Sequence, residues 1–332
     1  MHNAIKIGFF GTGWIASVHR RVLLARNDVE ITAVCSRIID RACKFMNNNT
    51  AVRYYTDFDE MIAKEPLDVL YICLPPHAHT GQFEKAAAKG IHIFMEKPIA
   101  NSRKRAESMV KAARKNKITA FVGYMMRFGQ VIDKLKYMSA TDSLNKPVLF
   151  QARYFAHMYG DHKNWWIDPD LGRGQVFEQI IHLYDLAYFL FGKIDEVFAF
   201  TNNCCHNYGS YKIEDVSTAT LKFQNGALGS IIGTTSAIPD EWDTQFSIVY
   251  SNCTVHGKNA DIGEIVNTAI KPVSREVFLD QKNLYTRETS AFIDVITGKI
   301  KNPAPLEDGL EGIKIVEAVL KSAKNHKPVK VR

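Results

Sequence analysis

Gly11, Gly13 and Ala16 stand near the start of the chain in the order G-x-G-x-x-A. Each small residue has its own task. Gly11 permits a tight turn, Gly13 lets the backbone approach a pyrophosphate, and Ala16 lets a helix pack closely on a strand. The free N–H groups at the helix start then face the phosphates. Thr12, Trp14 and Ile15 complete the turn and are expected to bind the same dinucleotide. Further on, Cys35-Ser36-Arg37 stands where an NAD-preferring site carries Asp or Glu for the ribose hydroxyls. Ser36 can hydrogen-bond a 2′-phosphate, and Arg37 can pair with it or stack on adenine. NADP is therefore expected over NAD. The alternative is a solvated Arg37 and a site that takes both.

Lys97 lies in Glu96-Lys97-Pro98, directly after the apolar run Ile91–Met95. If that run is a parallel strand, Lys97 is at its carboxyl end, where open α/β sheets bind ligands. A lysine beside an oxidised nicotinamide, and partly buried, has its pKa lowered toward the range useful for proton transfer. The alternative is a surface lysine at a strand end. Glu178, His182 and Asp185 are spaced by four and three residues, so on one helix they share a face. Glu178 and Asp185 can then orient the imidazole. A purely structural His182–Asp185 pair is the competing reading. The spacing of Glu178 and His182 can also hold a metal, but no third ligand is near in sequence, and none is expected.

The elements that must position these residues follow from apolar periodicity. Ile5–Phe10, Glu30–Cys35, Asp68–Leu74, Ile91–Met95 and Thr119–Gly123 read as strands. Trp14–Arg26, Asp40–Asn47, Asp57–Lys64, His79–Lys89 and Arg103–Asn116 read as helices between them. This alternation predicts right-handed βαβ units and a doubly wound parallel sheet over residues 1–123. After Tyr124 the pattern changes. Gln130–Met138 and Ile181–Phe191 read as helices, but long strands dominate: Val148–Ala156, Glu196–Asn203, Val216–Phe223, Ala227–Thr235 and Phe246–Tyr250. Gln224-Asn225-Gly226 joins two of them as a hairpin. An antiparallel or mixed sheet is expected over 124–332, with an open apolar face that a second subunit would cover. The last helix, about 307–325, is expected to pack back on the first domain.

Composition excludes several classes. Lys and Arg number 42 against 35 Asp and Glu, a net charge of +7, but the basic residues are scattered apart from Arg103-Lys104-Arg105. Nucleic-acid binders concentrate such charge, so no nucleic-acid partner is expected. Aromatic residues at 11% exclude a disordered chain. No segment reaches the ~18 apolar residues of a membrane span, and Met1–Ile7 has no signal-peptide pattern. Six cysteines without CxxC spacing fit reduced thiols in the cytoplasm.

Together these segments resemble the glucose–fructose oxidoreductase / inositol dehydrogenase / MocA family. The resemblance rests on Gly11-Thr12-Gly13-Trp14-Ile15-Ala16 with His19, Leu74-Pro75-Pro76-His77-Ala78-His79, and Glu96-Lys97-Pro98. It continues through Tyr124-Met125-Met126-Arg127-Phe128, the stretch from Gly174 to Gly192, and Glu307-Asp308-Gly309-Leu310. It implies an N-terminal Rossmann domain and a C-terminal α/β domain whose large, mostly antiparallel open sheet forms a dimer or tetramer interface. It also implies oxidation of a sugar or polyol carbinol, or reduction of the ketone, with NAD(P). Leu74, Pro75, His79 and Glu96 would then border the cofactor, although His77 and His79 can equally cap a helix.

The family lysine falls on Lys97 and the family histidine on His182. Glu178 replaces an aspartate common in the family, and Gly172-Arg173-Gly174 replaces a run of glycines. Arg173 can then pair with a carboxylate or phosphate on the substrate. Trp165 and Trp166 wall a sugar face or pack in the core, and Arg127 contacts substrate or forms a salt bridge. No role is assigned to His157, or to His162 beside Asp161. The implied reaction is hydride transfer, with His182 taking the hydroxyl proton directly or through Lys97. The same resemblance leaves open a redox-assisted glycoside hydrolase and a non-enzymatic sugar or dinucleotide sensor.

Overall fold

The computed structural model describes residues 4–157, 165–206 and 211–332, so Asp161 and His162 lie outside the described residues. The chain forms two compact units, Met1–Tyr124 with Tyr285–Leu310, and Met125–Leu284 with Glu311–Arg332.

The first unit holds six strands, β1 (Ile5–Phe10), β2 (Val29–Cys35), β3 (Arg53–Tyr55), β4 (Val69–Ile72), β5 (His92–Met95) and β6 (Ala120–Val122). They form one parallel sheet in the order β3-β2-β1-β4-β5-β6. Between them run α1 (Trp14–Leu24), α2 (Ile39–Phe45), α3 (Phe58–Lys64), α4 (Gln82–Ala88) and α5 (Arg103–Asn116). This is the doubly wound α/β sheet expected from the alternating pattern. A parallel sheet is buried on both faces, which is why its strands read as unbroken apolar runs. The strand order reverses between β1 and β4, and a ligand crevice lies at the carboxyl ends beside such a reversal.

Phe9, Tyr71, Phe94 and Phe121 stack from strand to strand across this sheet, with ring centroids 5.0, 4.8 and 5.5 Å apart. The helix Leu284–Ile296 lays Phe292 edge-on against Tyr71 and Phe94, at 5.6 and 5.5 Å. Each such aromatic pair adds about 1 kcal/mol beyond its buried area. Neither this helix nor β3 was read from the sequence. β3 has three residues and only Tyr55 is buried, too little for a periodic signal.

In α1 the buried residues are Ala16, His19 and Leu23. Ile15, Val18 and Val22, the more apolar set, are only half-buried. A histidine can face the sheet here because both its ring nitrogens find partners, as described below.

The second unit is built on a nine-stranded sheet. Its elements begin with α6 (Gln130–Ala140), β7 (Pro147–Phe155), α7 (Gln175–Glu178), α8 (Ile181–Phe191) and β8 (Ile194–Asn202). β9 (Val216–Phe223), β10 (Leu228–Thr234), β11 (Asp243–Tyr250), β12 (Cys253–Gly257), β13 (Gly263–Asn267) and β14 (Ser274–Phe278) follow. The helix Leu284–Ile296 is α9 in chain order, and α10 (Leu306–Asn325) and β15 (Val329–Lys330) complete the chain. The residues of α10 up to Leu310 fall in the first unit and the rest in the second.

The sheet order is β14-β13-β12-β11-β7-β10-β9-β8-β15. Among the described residues only β7 and β10 pair in parallel in this sheet, which is mixed and mostly antiparallel. The hairpin β9–β10 turns at Gly226, whose φ of +89° suits glycine. One sheet face is buried and carries Phe150, Ala152, Ala219, Leu221 and Ile231. The opposite face exposes Leu149, Phe200, Leu228 and Ile232.

Candidate active site

In the first unit, the glycine turn leads from β1 into α1. Gly11 has φ +101°, and a Cβ there would overlap the carbonyl of Cys73 at the end of β4. Gly13 is different. Its φ of −74° suits any residue, and no atom lies within 4 Å of where a Cβ would be. Among the described residues nothing demands glycine at 13. The α1 amino terminus beside it has no side-chain cap and no acidic residue in its first turn. Uncapped N–H groups next to a bare backbone fit a dinucleotide's pyrophosphate. Gly13 and Trp14 are exposed, Thr12 and Ile15 half-buried. The Thr12 hydroxyl lies 3.4 Å from that of Ser36, which joins the end of β2 to the same turn. Arg37 is exposed beside it.

Lys97 is half-buried at the carboxyl end of β5, followed by a cis bond to Pro98. Its N–H donates to Glu96 Oε2 at 3.1 Å. Glu96 Oε1 lies 2.8 Å from Nε2 of His19, and Nδ1 of His19 lies 2.7 Å from Oγ1 of Thr289 on α9. A neutral ring satisfies both contacts if Nε2–H donates to the carboxylate and the Thr289 hydroxyl donates to Nδ1. Glu288 also approaches, so His19, Glu96 and Glu288 bring one ligating atom each within 4.8 Å of one another, all buried. Glu96 also explains Gly123, where a Cβ would sit 3.1 Å from its carboxylate.

Leu74 and Pro75 are half-buried after β4. His79 is buried, with Nδ1 2.8 Å from the Ile99 carbonyl and Nε2 3.3 Å from that of Leu74. Burial lowers its pKa to about 4, against the pull of both carbonyls. The neutral ring has one proton to give, and the shorter contact assigns it to Nδ1. His79 thus ties the loop after β4 to the segment after Lys97.

In the second unit, His182 is buried in the first turn of α8. Glu178 ends α7, and its Oε2 accepts the indole N–H of Trp166 at 2.9 Å. The two residues do not share one continuous helix. Ile180 N–H reaches back to the Gln175 carbonyl and His182 N–H to that of Gln179, a register slip between α7 and α8. The expected single helical face therefore holds for His182 and Asp185 but not for Glu178.

Asp185 receives Arg127, with Nε–Oδ2 at 2.9 Å and Nη2–Oδ1 at 2.5 Å, and neither side chain has more than 1% exposure. The guanidinium also lies 4.4 Å over the Phe189 ring. Arg127 thus forms the salt bridge that was one of its two readings. Arg173 has φ +64° between Gly172 and Gly174, donates to Glu317 at 3.0 Å, and lies 4.5 Å over Phe177. Trp166 packs with Ile167, Tyr211 and Ile213, and Trp165 lies half-buried against that cluster.

Comparison with known proteins bears on what these two sites belong to. Residues 5–124 match the oxidoreductase family with an NAD-binding Rossmann fold, and residues 132–262 match the GFO/IDH/MocA C-terminal domain. The chain belongs to the GFO/IDH/MocA oxidoreductase family. It is similar to the myo-inositol 2-dehydrogenase of Thermotoga maritima, 24% identical over 98% of either chain. A D-xylose 1-dehydrogenase (NADP(+)) of Haloferax volcanii is 22% identical over 96% of this chain and 97% of its own. The fold matches a levoglucosan dehydrogenase solved with NADH, with TM-score 0.90 and 18% identity over 99% of this chain and 100% of that one.

As a GFO/IDH/MocA member the chain is an NAD(P)-dependent oxidoreductase, with homologues that act on sugars and polyols. Among the described residues no helix is long and apolar enough to cross a membrane. Thr289 and Glu288, which reach His19 from α9 across some 270 positions, were not foreseen from the sequence. Nor was Glu214, whose Oε1 accepts the Val176 N–H at 2.8 Å. None of the three has a local signal, since contacts that distant in sequence leave no period.

Proposed function

We propose that this oxidoreductase transfers a hydride between NAD(P) and a carbinol or ketone carbon of a sugar, inositol or related polyol. The observation that carries the reading is Lys97, an amine-bearing residue at the carboxyl end of a parallel strand, its backbone braced by a buried carboxylate in the unit that holds the glycine turn. Gly11, Thr12, Gly13, Trp14 and Ile15 would hold the pyrophosphate, and Leu74 and Pro75 would border the nicotinamide. NAD(P), when bound, supplies or accepts the hydride at the nicotinamide ring.

In oxidation His182 takes the hydroxyl proton, directly or through Lys97. Lys97 polarises the substrate oxygen and returns the proton when the reaction runs toward the alcohol. Glu178, steadied by the Trp166 indole, receives substrate hydroxyls, and Trp165 offers a ring face to the sugar. Positioning and general acid–base help are the catalytic terms these residues provide. Arg127 has no surface left for substrate and shapes the site through Asp185. Arg173 reaches an anionic substrate only by leaving Glu317.

Screening sugars, inositols and sugar phosphates by cofactor fluorescence identifies the substrate. Lys97→Ala should then bind cofactor as the wild type does and lose turnover, and near-normal kcat would refute the assignment. Ser36 and Arg37 support NADP over NAD, and a kcat/KM favouring NAD would reverse that. The exposed apolar residues Leu149, Phe200, Leu228 and Ile232 support a homodimer or homotetramer through the open sheet. A monomeric mass by light scattering would count against it.

A further inference from the structure

Glu214 lies just ahead of β9 beside Asp215, and the two carboxylates have different tasks. Asp215 accepts the N–H groups of Cys204, Cys205 and His206 and so shapes its own turn. Glu214 instead takes the amino end of α7, accepting the N–H groups of Val176 and Gln175. The chain closes on it tightly. Gly174 has φ +92°, and a Cβ there would overlap the Glu214 carboxylate. Two residues earlier, a Cβ on Gly172 would lie 2.6 and 2.7 Å from the carbonyls of Trp166 and Trp165. The segment from Gly172 to Glu178 is thus seated between the tryptophan pair and Glu214. With four residues, α7 is too short to hold its own direction, because helix nucleation is unfavourable.

We propose that Glu214 is the positioning residue for Glu178 and His182, clamping the amino end of α7 while the Trp166 indole clamps its carboxyl end. This rests on the reading of Glu178 and His182 as substrate-facing groups.

The clamp is sensitive to pH near neutrality. Burial raises the Glu214 pKa to about 7, against the pull of the N–H groups of Val176, Gln175 and Glu214 itself, and the Asp215 charge adds to the rise. The other groups around it are Tyr184 from α8 and, lining the same cavity of about 480 Å³, Lys212 and Arg173, the latter paired with Glu317. The raised pKa means that the seated segment holds the protonated carboxyl better than the ionised one, so the clamp loosens as pH rises toward about 7.

Amide hydrogen exchange on the full chain tests the clamp without any substrate. At pH 6 the peptide spanning residues 174–182 should exchange about tenfold faster in Glu214→Ala, and by a smaller factor in Glu214→Gln, with the nine-stranded sheet unchanged. Protection of that peptide, corrected for intrinsic rate, should fall from pH 6 to pH 8 in the wild type and stay flat in Glu214→Gln. With an accepted substrate, kcat should fall about tenfold in Glu214→Ala at unchanged cofactor affinity, and Glu214→Gln should recover part of it.

Equal protection in wild type and Glu214→Ala overturns the proposal. So does a loss spread evenly over the second unit, or an unchanged kcat. If Glu214→Ala does not fold, wild-type protection of that peptide that is the same at pH 6 and pH 8 overturns it equally. Failure of the hydride-transfer reading shows separately, as turnover retained in Lys97→Ala and His182→Ala.

Discussion

Two glycines separated by one residue should answer differently to the same added methyl group. Gly11→Ala puts a Cβ on a backbone with φ +101° and into the Cys73 carbonyl. Left-handed strain alone is worth about 1–3 kcal/mol, and the overlap adds to it, so a loss on the order of 3 kcal/mol is expected. Gly13→Ala puts the same methyl at φ −74° with no atom within 4 Å. Its effect on folding should stay within about 0.5 kcal/mol. Its effect on the cofactor should be large, because the methyl stands where the proposed pyrophosphate contact would lie. Losing one or two charge-assisted hydrogen bonds costs about 1.5–3 kcal/mol, or roughly 10- to 100-fold in Kd. Urea denaturation measures the first quantity, and titration of reduced-cofactor fluorescence measures the second. Gly13→Ala with wild-type Kd refutes the placement of the dinucleotide. Gly13→Ala as unstable as Gly11→Ala refutes the claim that the protein itself leaves position 13 free.

Other outcomes follow from the buried polar contacts. Asp185→Ala leaves the Arg127 guanidinium buried without its partner and should cost about 3–5 kcal/mol, whereas Arg127→Met with Asp185→Leu should cost much less than the two single changes together; additive losses in urea midpoints would sink this. His79 has a folded pKa of about 4 against an ordinary 6.5, so the unfolded chain binds its proton first and stability falls as pH drops from about 6.5 to 4. The loss should total about 3 kcal/mol and shrink in His79→Gln, read from urea midpoints across that range. Thr289→Val removes the hydroxyl at Nδ1 of His19 and should lower stability by about 1–3 kcal/mol. Because His19 braces Glu96, it should also lower kcat, whereas a change in stability alone would show that the brace does not reach Lys97.

Much of this architecture is legible in the sequence. The runs around Ile7, Leu70 and Phe94 are unbroken because a parallel sheet hides both faces, and that pattern predicted the parallel sheet. The glycine turn and Lys97 were placed by their neighbours in sequence, since each lies at the end of a recognisable strand. What misled the reading was local too. Glu178 and His182 have helical spacing, yet the backbone slips register between them, and residue spacing alone does not reveal a slip.

The sequence by itself therefore determined the two-part α/β plan and the glycine turn between its first strand and helix, because those depend on short-range periodicity and turn geometry. Only the tertiary structure decided what each polar group is bound to. Arg127 became a buried partner of Asp185, Arg173 a partner of Glu317, and His79 a tie between two loops. It also recruited Thr289 to His19 and Glu214 to α7. The physical reason is that a buried hydrogen bond is set by distance in space, and a buried polar group takes whichever partner the fold brings within about 3 Å.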